Sequence, residues 1–153
     1  PAPPRAPDVT ARALAWQRDT LAERVAAGAS LRAVRVVDGR TVWASGSAGT
    51  VLRTADGGRS WRRVGPAEGG ALDFRSLWAL DSLTAVVASA GDGAEGQARV
   101  FRTDDGGRRW TLVLADSAKG AFFDALAFWP DGRHGLLLSD PVNGAFVVWA
   151  TDD

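Results

Sequence analysis

Hydrophobic positions along this chain fall in short alternating or β-branched runs, not at helical spacing. The stretches Leu31–Val36, Phe74–Leu80 and Phe123–Phe128 read as half-buried strands. Each leads to a turn, clearest in the "DGR" of 38–40 and 131–133, and then to an aliphatic run: Val42–Ala44, Ala85–Ala88 and Leu136–Leu138. After a loop of small residues comes a third run, Val51–Arg53, Arg99–Arg102 and Ala145–Ala150. The segment "TLAERVAAG", 20–28, is the one with helical character, and it is too short to define a helical repeat.

The third run is followed by "TADGGRSW" at 54–61 and by "TDDGGRRW" at 103–110, 49 residues later. "TDD" at 151–153 opens the same pattern again. A fourth strand, headed by the tryptophan, completes the first two units. Four short strands per unit of about 48 residues predict an all-β fold, a β-propeller of four-stranded blades. A β-sandwich would also show many short strands but would not need near-identical turns at a fixed period. The expected organisation is a flexible Pro-rich tail over 1–12 and a partial propeller over 13–153. Within it, 13–28 is a candidate closing strand and connection, with Trp16 in the place of Trp61 and Trp110. Blades follow at 29–65 and 71–115, with an incomplete one at 120–153.

The repeated turn has a physical rationale. Asp56 and Asp105 can accept hydrogen bonds from N–H groups of their own turn, and paired glycines supply positive φ. Trp61 and Trp110 are then expected to fold back over the turn and fill the gap towards the next sheet. "TADGGRSW" resembles the Asp-box pattern Ser/Thr-x-Asp-x-Gly-x-Thr/Ser-Trp at every position. "TDDGGRRW" departs from it at Arg109, which puts one hydrogen bond of that clasp in doubt. The resemblance makes Thr54, Asp56, Gly58, Ser60 and Trp61 structural residues. So too are Thr103, Asp105, Gly107 and Trp110, and Thr151 and Asp153 in the opening of a third box. Asp-boxes mark bacterial-neuraminidase-repeat propellers, among them sialidases, other glycosidases and sortilin-like receptors. "SLRAVRVVDGRTVWASGSAGTVLRTADGG" and "FFDALAFWPDG…LLLSDPVNG" are most similar to the photosystem II stability/assembly factor-like family and its bacterial relatives. The resemblance implies seven blades in the full ring, of which this chain supplies about three from the N-terminal part. It also places the boxes on the rim, away from the functional face.

Composition narrows the partners. Formal charge is zero with 18 groups of each sign, which disfavours nucleic acid, since binding by counterion release needs a basic face. No apolar run approaches the ~18 residues of a membrane helix. Cysteine is absent, so thiolate metal sites, disulfides and cysteine nucleophiles are excluded. The Pro-rich start, without methionine, suits an exported protein after signal removal. No cofactor or metal motif is present, and His134, the single histidine, follows a turn on the face away from any expected site.

The working surface is expected opposite the "DGG" and "DGR" turns, where the first strands begin and the second strands end. The repeats place Arg32, Arg75 and Asp124 at equivalent positions there, flanked by Asp73, Phe74, Phe122 and Phe123. Loops add Ser45–Ser47, 90–98 and "SDPVNG", with Asp140 extended before Pro141 and Asn143–Gly144 as a type I′ turn. Guanidiniums, carboxylates and aromatic rings can bind a peptide or an anionic ligand, or can instead tie neighbouring blades into a structural ring.

Two functions compete. One is a non-catalytic binding or assembly scaffold for a protein or peptide, with no catalytic residues in this chain. The other is a sialidase-like glycoside hydrolase acting on carbohydrate. The absence of tyrosine here means that its nucleophile would have to lie in further sequence. A two-carboxylate glycosidase using Asp124 and Asp140 is a third reading. About three blades cannot close a ring, so further blades or self-association are expected to do so.

Overall fold

The computed structural model describes residues 18–153. The expected Pro-rich tail lies outside that range, as does Trp16. Of the candidate closing strand and connection, residues 18–28 are described, and there Asp19 caps a helix rather than continuing a strand. That helix, α1, spans Thr20–Ala26, with the Asp19 carboxylate accepting from the N–H groups of Leu21 and Ala22. Seven residues are too few for autonomous helicity. α1 is held by docking Val25 and Ala26 on Ala44, Leu52 and Trp61 of the first sheet.

Three antiparallel sheets follow in chain order. The first contains β1 (Leu31–Val36), β2 (Val42–Gly46), β3 (Thr50–Thr54) and the two-residue β4 (Arg62–Arg63). The second contains β5 (Asp73–Ala79), β6 (Ala85–Ala90), β7 (Arg99–Thr103) and β8 (Thr111–Ala115). The third contains β9 (Phe123–Phe128), β10 (Gly135–Val142) and β11 (Ala145–Thr151), in the order β11-β10-β9. In each sheet, strands adjacent in sequence are adjacent in space. β5 packs between β1 and β9, so the first strands of successive sheets stand side by side. This is the packing of propeller blades about a common axis.

Alternation along the middle sheet divides its side chains between two neighbours. Leu77, Ala79, Ala85, Val87 and Phe101 face Trp43 and Val51 of the first sheet. Val86, Ala88 and Val100 face Phe123 and Leu137 of the third. Covered on both sides, β6 is apolar at every position but Ser89, which explains the "AVVASA" run. By contrast, Val34 and Val36 of β1 and Phe146 of β11 lie on outward faces and are exposed.

The recurring turns form as their chemistry predicts. Thr54 Oγ1 donates to Asp56 Oδ1 and accepts from the N–H of Gly58, while Asp56 takes the N–H of Ser60 at 2.9 Å and its hydroxyl at 2.6 Å. Asp105 accepts from Thr103 Oγ1 and from the N–H groups of Arg108 and Arg109, but position 109 offers no hydroxyl. The missing bond is the one that the Arg109 departure had put in question. The hydroxyl and N–H of Ser60, with Thr54, hold the Asp56 carboxyl at about 2. Asp105 is also lowered, chiefly by the N–H of Arg109. The two families of turns share one face, since the N–H of Gly57 donates to Arg40 O and that of Gly106 to Leu83 O.

The tryptophans correct one expectation. Trp110 reaches the preceding sheet, not the next. Its Nε1–H donates to Val64 O at 2.6 Å, and its ring meets Trp43 edge to face at 6.5 Å. The sheet face at the head of β8 looks back at the first blade, so an indole projecting from it can only fill that gap. Gly107 presses on Val64 so closely that a Cβ there would come within 2.7 Å of the Val64 Cβ. Trp61 looks backwards too, and its Nε1–H donates to Asp19 Oδ2 at 3.1 Å. Asp19 thus does for Trp61 what the Val64 carbonyl does for Trp110.

Trp110→Ala should lower the free energy of unfolding by about 3–5 kcal/mol in urea titrations. Trp110→Phe, which keeps a ring but loses the donor, should cost about 1 kcal/mol. Arg109→Ser should lower the Asp105 pKa further, read by carboxyl NMR titration. Because folding depresses Asp56 and Asp105, their contribution to stability is present above the unfolded carboxylate range near 4 and is lost as pH falls through the lowered values, about 2 for Asp56.

Candidate functional site

On the face opposite the clasps, the first strands of successive blades are joined by ion pairs. Arg32 of β1 meets Asp73 of β5, with Nε–H···Oδ contacts of 3.2 and 3.3 Å and Nη2–H···Oδ2 of 3.1 Å. One blade further on, Arg75 of β5 meets Asp124 of β9 more loosely, at 3.7 Å. The repeat offset that makes Arg32 and Arg75 equivalent therefore turns each towards an acid on the neighbouring inner strand. Both pairs are partly exposed, and such pairs contribute only about 0–1 kcal/mol. They can open for a ligand.

The second rung is the richer one. The Arg75 guanidinium lies 5.6 Å from the centre of the Phe122 ring. Asp140 stands beside this pair because its N–H donates to Phe122 O at 2.9 Å, extending β10 past Ser139. The Asp124 carboxyl is raised above its ordinary value, first by partial burial and then by the charge of Asp140 and a hydrogen bond shared with it, with Arg75 opposing. One cation, one aromatic face and two mutually repelling carboxyls thus converge on a partly open surface. The cluster can accept a carboxylate at Arg75 or offer acceptors to N–H groups at Asp124 and Asp140. Among the described residues, no three His, Cys, Asp or Glu side chains converge to hold a metal ion.

Other expected site residues are placed elsewhere. Phe74 and Phe123 are fully buried. Phe74 meets Phe101 edge to face, and Phe123 lies in the layer between the second and third sheets. Their rings cannot touch a surface ligand; Phe122, one residue earlier, is the aromatic that can. Ser45 is also buried, donating to Phe74 O, and Ser47 accepts from the N–H of Ser30. "SDPVNG" is mostly strand, not loop, because β10 runs on to Val142. Asn143 and Gly144 form the two-residue hairpin turn, with φ of 53° and 82°, and Asn143 stands exposed at its tip. His134 lies on the clasp face, exposed, its Nδ1 2.6 Å from Asp131 Oδ2.

Sequence reasoning overlooked how the 90–98 loop is used. Asp92 Oδ1 accepts from the N–H groups of Ala94 and Gly120, and the N–H of Gly93 donates to Ala121 O. The loop is thereby stitched to the segment that delivers Phe122. The sequence signal was present in the Asx-turn chemistry of "GDG".

The fold and this surface define a β-propeller. No known family's sequence profile matches the chain. It is 28% identical over 81 residues to the photosystem II assembly lipoprotein Ycf48 of Synechococcus sp. (strain CC9902), covering 53% of this chain and 22% of the relative. It superposes on a structure of YCF48 bound to D1 peptide with a TM-score of 0.62 and 16% identity, over 82% of this chain and 38% of the other. The GH74 enzyme of Niastella koreensis is also similar, with a TM-score of 0.55 and 15% identity, over 74% of this chain and 18% of that one. The chain therefore spans well under half the length of these proteins.

Asp140→Asn is expected to lower the Asp124 pKa, by removing a like charge and its shared hydrogen bond. Folding raises that carboxyl, so stability falls as pH rises from near 4 through the raised value. The variant should flatten this fall in thermal melts across that window. An unchanged Asp124 titration in carboxyl NMR would separate the two groups.

Proposed function

We propose that this chain is part of a non-catalytic Asp-box propeller that binds an extended protein segment on the face opposite its clasps, as an assembly factor does. The cluster of Arg75, Phe122, Asp124 and Asp140 carries this reading. Its cation is held only loosely by its acid partner, beside an aromatic ring, at the edge where successive inner strands begin. Arg32, Asp73 and Asn143 extend the surface to either side. The likeness to an assembly lipoprotein and to a peptide-bound structure supports the same class of partner. Export, with the relative described as a lipoprotein, belongs to this proposal. So does closure of the ring by further blades or by self-association.

A glycoside hydrolase is the second reading, favoured by the Asp124–Asp140 carboxyl pair and by the likeness to a GH74 enzyme. The chemistry needs two carboxyl groups flanking a glycosidic bond. The Arg75 side chain is set against one of them, which suits carboxylate recognition better than acid catalysis.

The test is a panel of extended decapeptides, acidic, neutral and basic, measured by fluorescence anisotropy. Acidic peptides should bind best, and Arg75→Ala should weaken them about tenfold, with Arg75→Lys in between. Charge-independent binding, or none together with turnover of an aryl-glycoside panel, would overturn the proposal.

A further inference from the structure

The first two clasps differ in how an equivalent arginine is neutralised. Arg53 and Arg102 occupy the same place in the repeat, directly before the clasp threonines Thr54 and Thr103. Arg102 finds its acid two residues on, its Nε–H and Nη2–H donating to the Asp104 carboxylate at 2.9–3.1 Å. The first clasp has Ala55 where the second has Asp104. Arg53 therefore lacks the acid that its counterpart uses, and its Nε is buried without a hydrogen-bond partner. Such an orphaned donor on a charged group is costly, so the fold leaves this cation undersupplied with acceptors.

More positive charge collects around it. Arg53 stands directly opposite Trp43 on one side and Arg62 on the other, so the three project from one face of the first sheet, towards the second blade. Its guanidinium rests 5.4 Å from the centre of the Trp43 ring. It also lies against Gly106 of the second clasp, where a Cβ would come within 2.9 Å of Arg53 Nη1. Arg108, two residues further along that turn, brings a third guanidinium. Burial lowers the Arg53 pKa, and the charges of Arg108 and Arg62 lower it further, with Asp81 opposing. Asp81 is itself engaged, its Oδ1 taking the N–H groups of Leu83 and Thr84. Among the described residues, none of the three arginines is in an ion pair. Arg62 and Arg108 are exposed and Arg53 is half-buried, so the cluster opens to solvent. Both sheets that build it have all four strands.

We infer that Arg53, Arg62 and Arg108 form an anion site for a phosphate monoester, on the clasp face between the first and second blades. Three guanidiniums against the one carboxylate of Asp81 leave two positive charges in excess. A phosphate monoester carries about −1.5 to −2 at neutral pH and so matches that excess. Its oxygens suit guanidinium forks, and its charge relieves the repulsion among the three cations. In the second blade Asp104 does this work from within the chain; in the first, Ala55 leaves it to a ligand. The site lies on the face opposite the Arg75 cluster and does not rest on the function proposed above.

The probe is inorganic phosphate, titrated into the 153-residue chain at constant ionic strength and followed by NMR at the Arg53 Nε–H resonance. A saturable shift is expected, with acetate about tenfold weaker because it carries a single charge. Ala55→Asp installs the acid of the second clasp, and should weaken phosphate about tenfold while holding or raising the melting temperature. Arg108→Ala, at an exposed side chain, should weaken it about threefold or more, and Arg133→Ala on the third blade should change nothing. Phosphoserine and glycerol 3-phosphate distinguish the source, a phosphorylated side chain or a small free ester, by which of them binds more tightly than phosphate. No saturable shift, an equal response to acetate, or failure of both esters to bind would overturn the inference. So would phosphate binding that Ala55→Asp and Arg108→Ala leave unchanged.

Discussion

The structure depends on closing the gap between adjacent sheets. A four-stranded sheet with apolar residues on both faces has no water-compatible side, so each blade needs a neighbour or a cover. Between the first two blades the gap is closed by an indole standing edge-on to Trp43 and bonded to the Val64 carbonyl. That single group adds apolar area and also satisfies a main-chain acceptor that would otherwise face a dry interface. The glycine pair before it lets the turn press against Val64, because any larger residue at 107 would collide with it. The helix α1 answers the same demand with different material. It covers Ala44 and Leu52, and its capping carboxylate receives the Trp61 indole.

This arrangement divides the molecule between two faces. Turns closed by their own carboxylates occupy one, where Asp38, Asp81 and Asp131 each take two N–H groups of the turn that follows. Their acceptors are largely consumed in holding the backbone. The other face carries the starts of the inner strands, where Arg32–Asp73 and Arg75–Asp124 span from blade to blade. Exposed ion pairs contribute little to stability. A surface tied together by them can therefore exchange partners without endangering the fold.

The architecture was legible because its devices are local. Period, turn glycines and clasp aspartates can be read one segment at a time, and they delivered three successive sheets, although β10 runs from Gly135 to Val142 where the pattern marks only Leu136–Leu138. Asp81 was harder to see, because "DSL" lacks the glycine of "DGR" although its carboxylate makes the same two bonds. The site was less legible. Phe122 and Phe123 are neighbours of identical type, and which one faces solvent depends on how β9 meets the second sheet.

The sequence by itself determined the repeat, the strands and the chemistry of each turn, since these follow from residues a few positions apart. Only the tertiary structure decided that the tryptophans look backwards, that Arg32 and Arg75 each meet an acid on the next blade, and that Phe123 is core. Those outcomes depend on the direction in which one twisted sheet is laid against another. No interaction within a single blade records that direction.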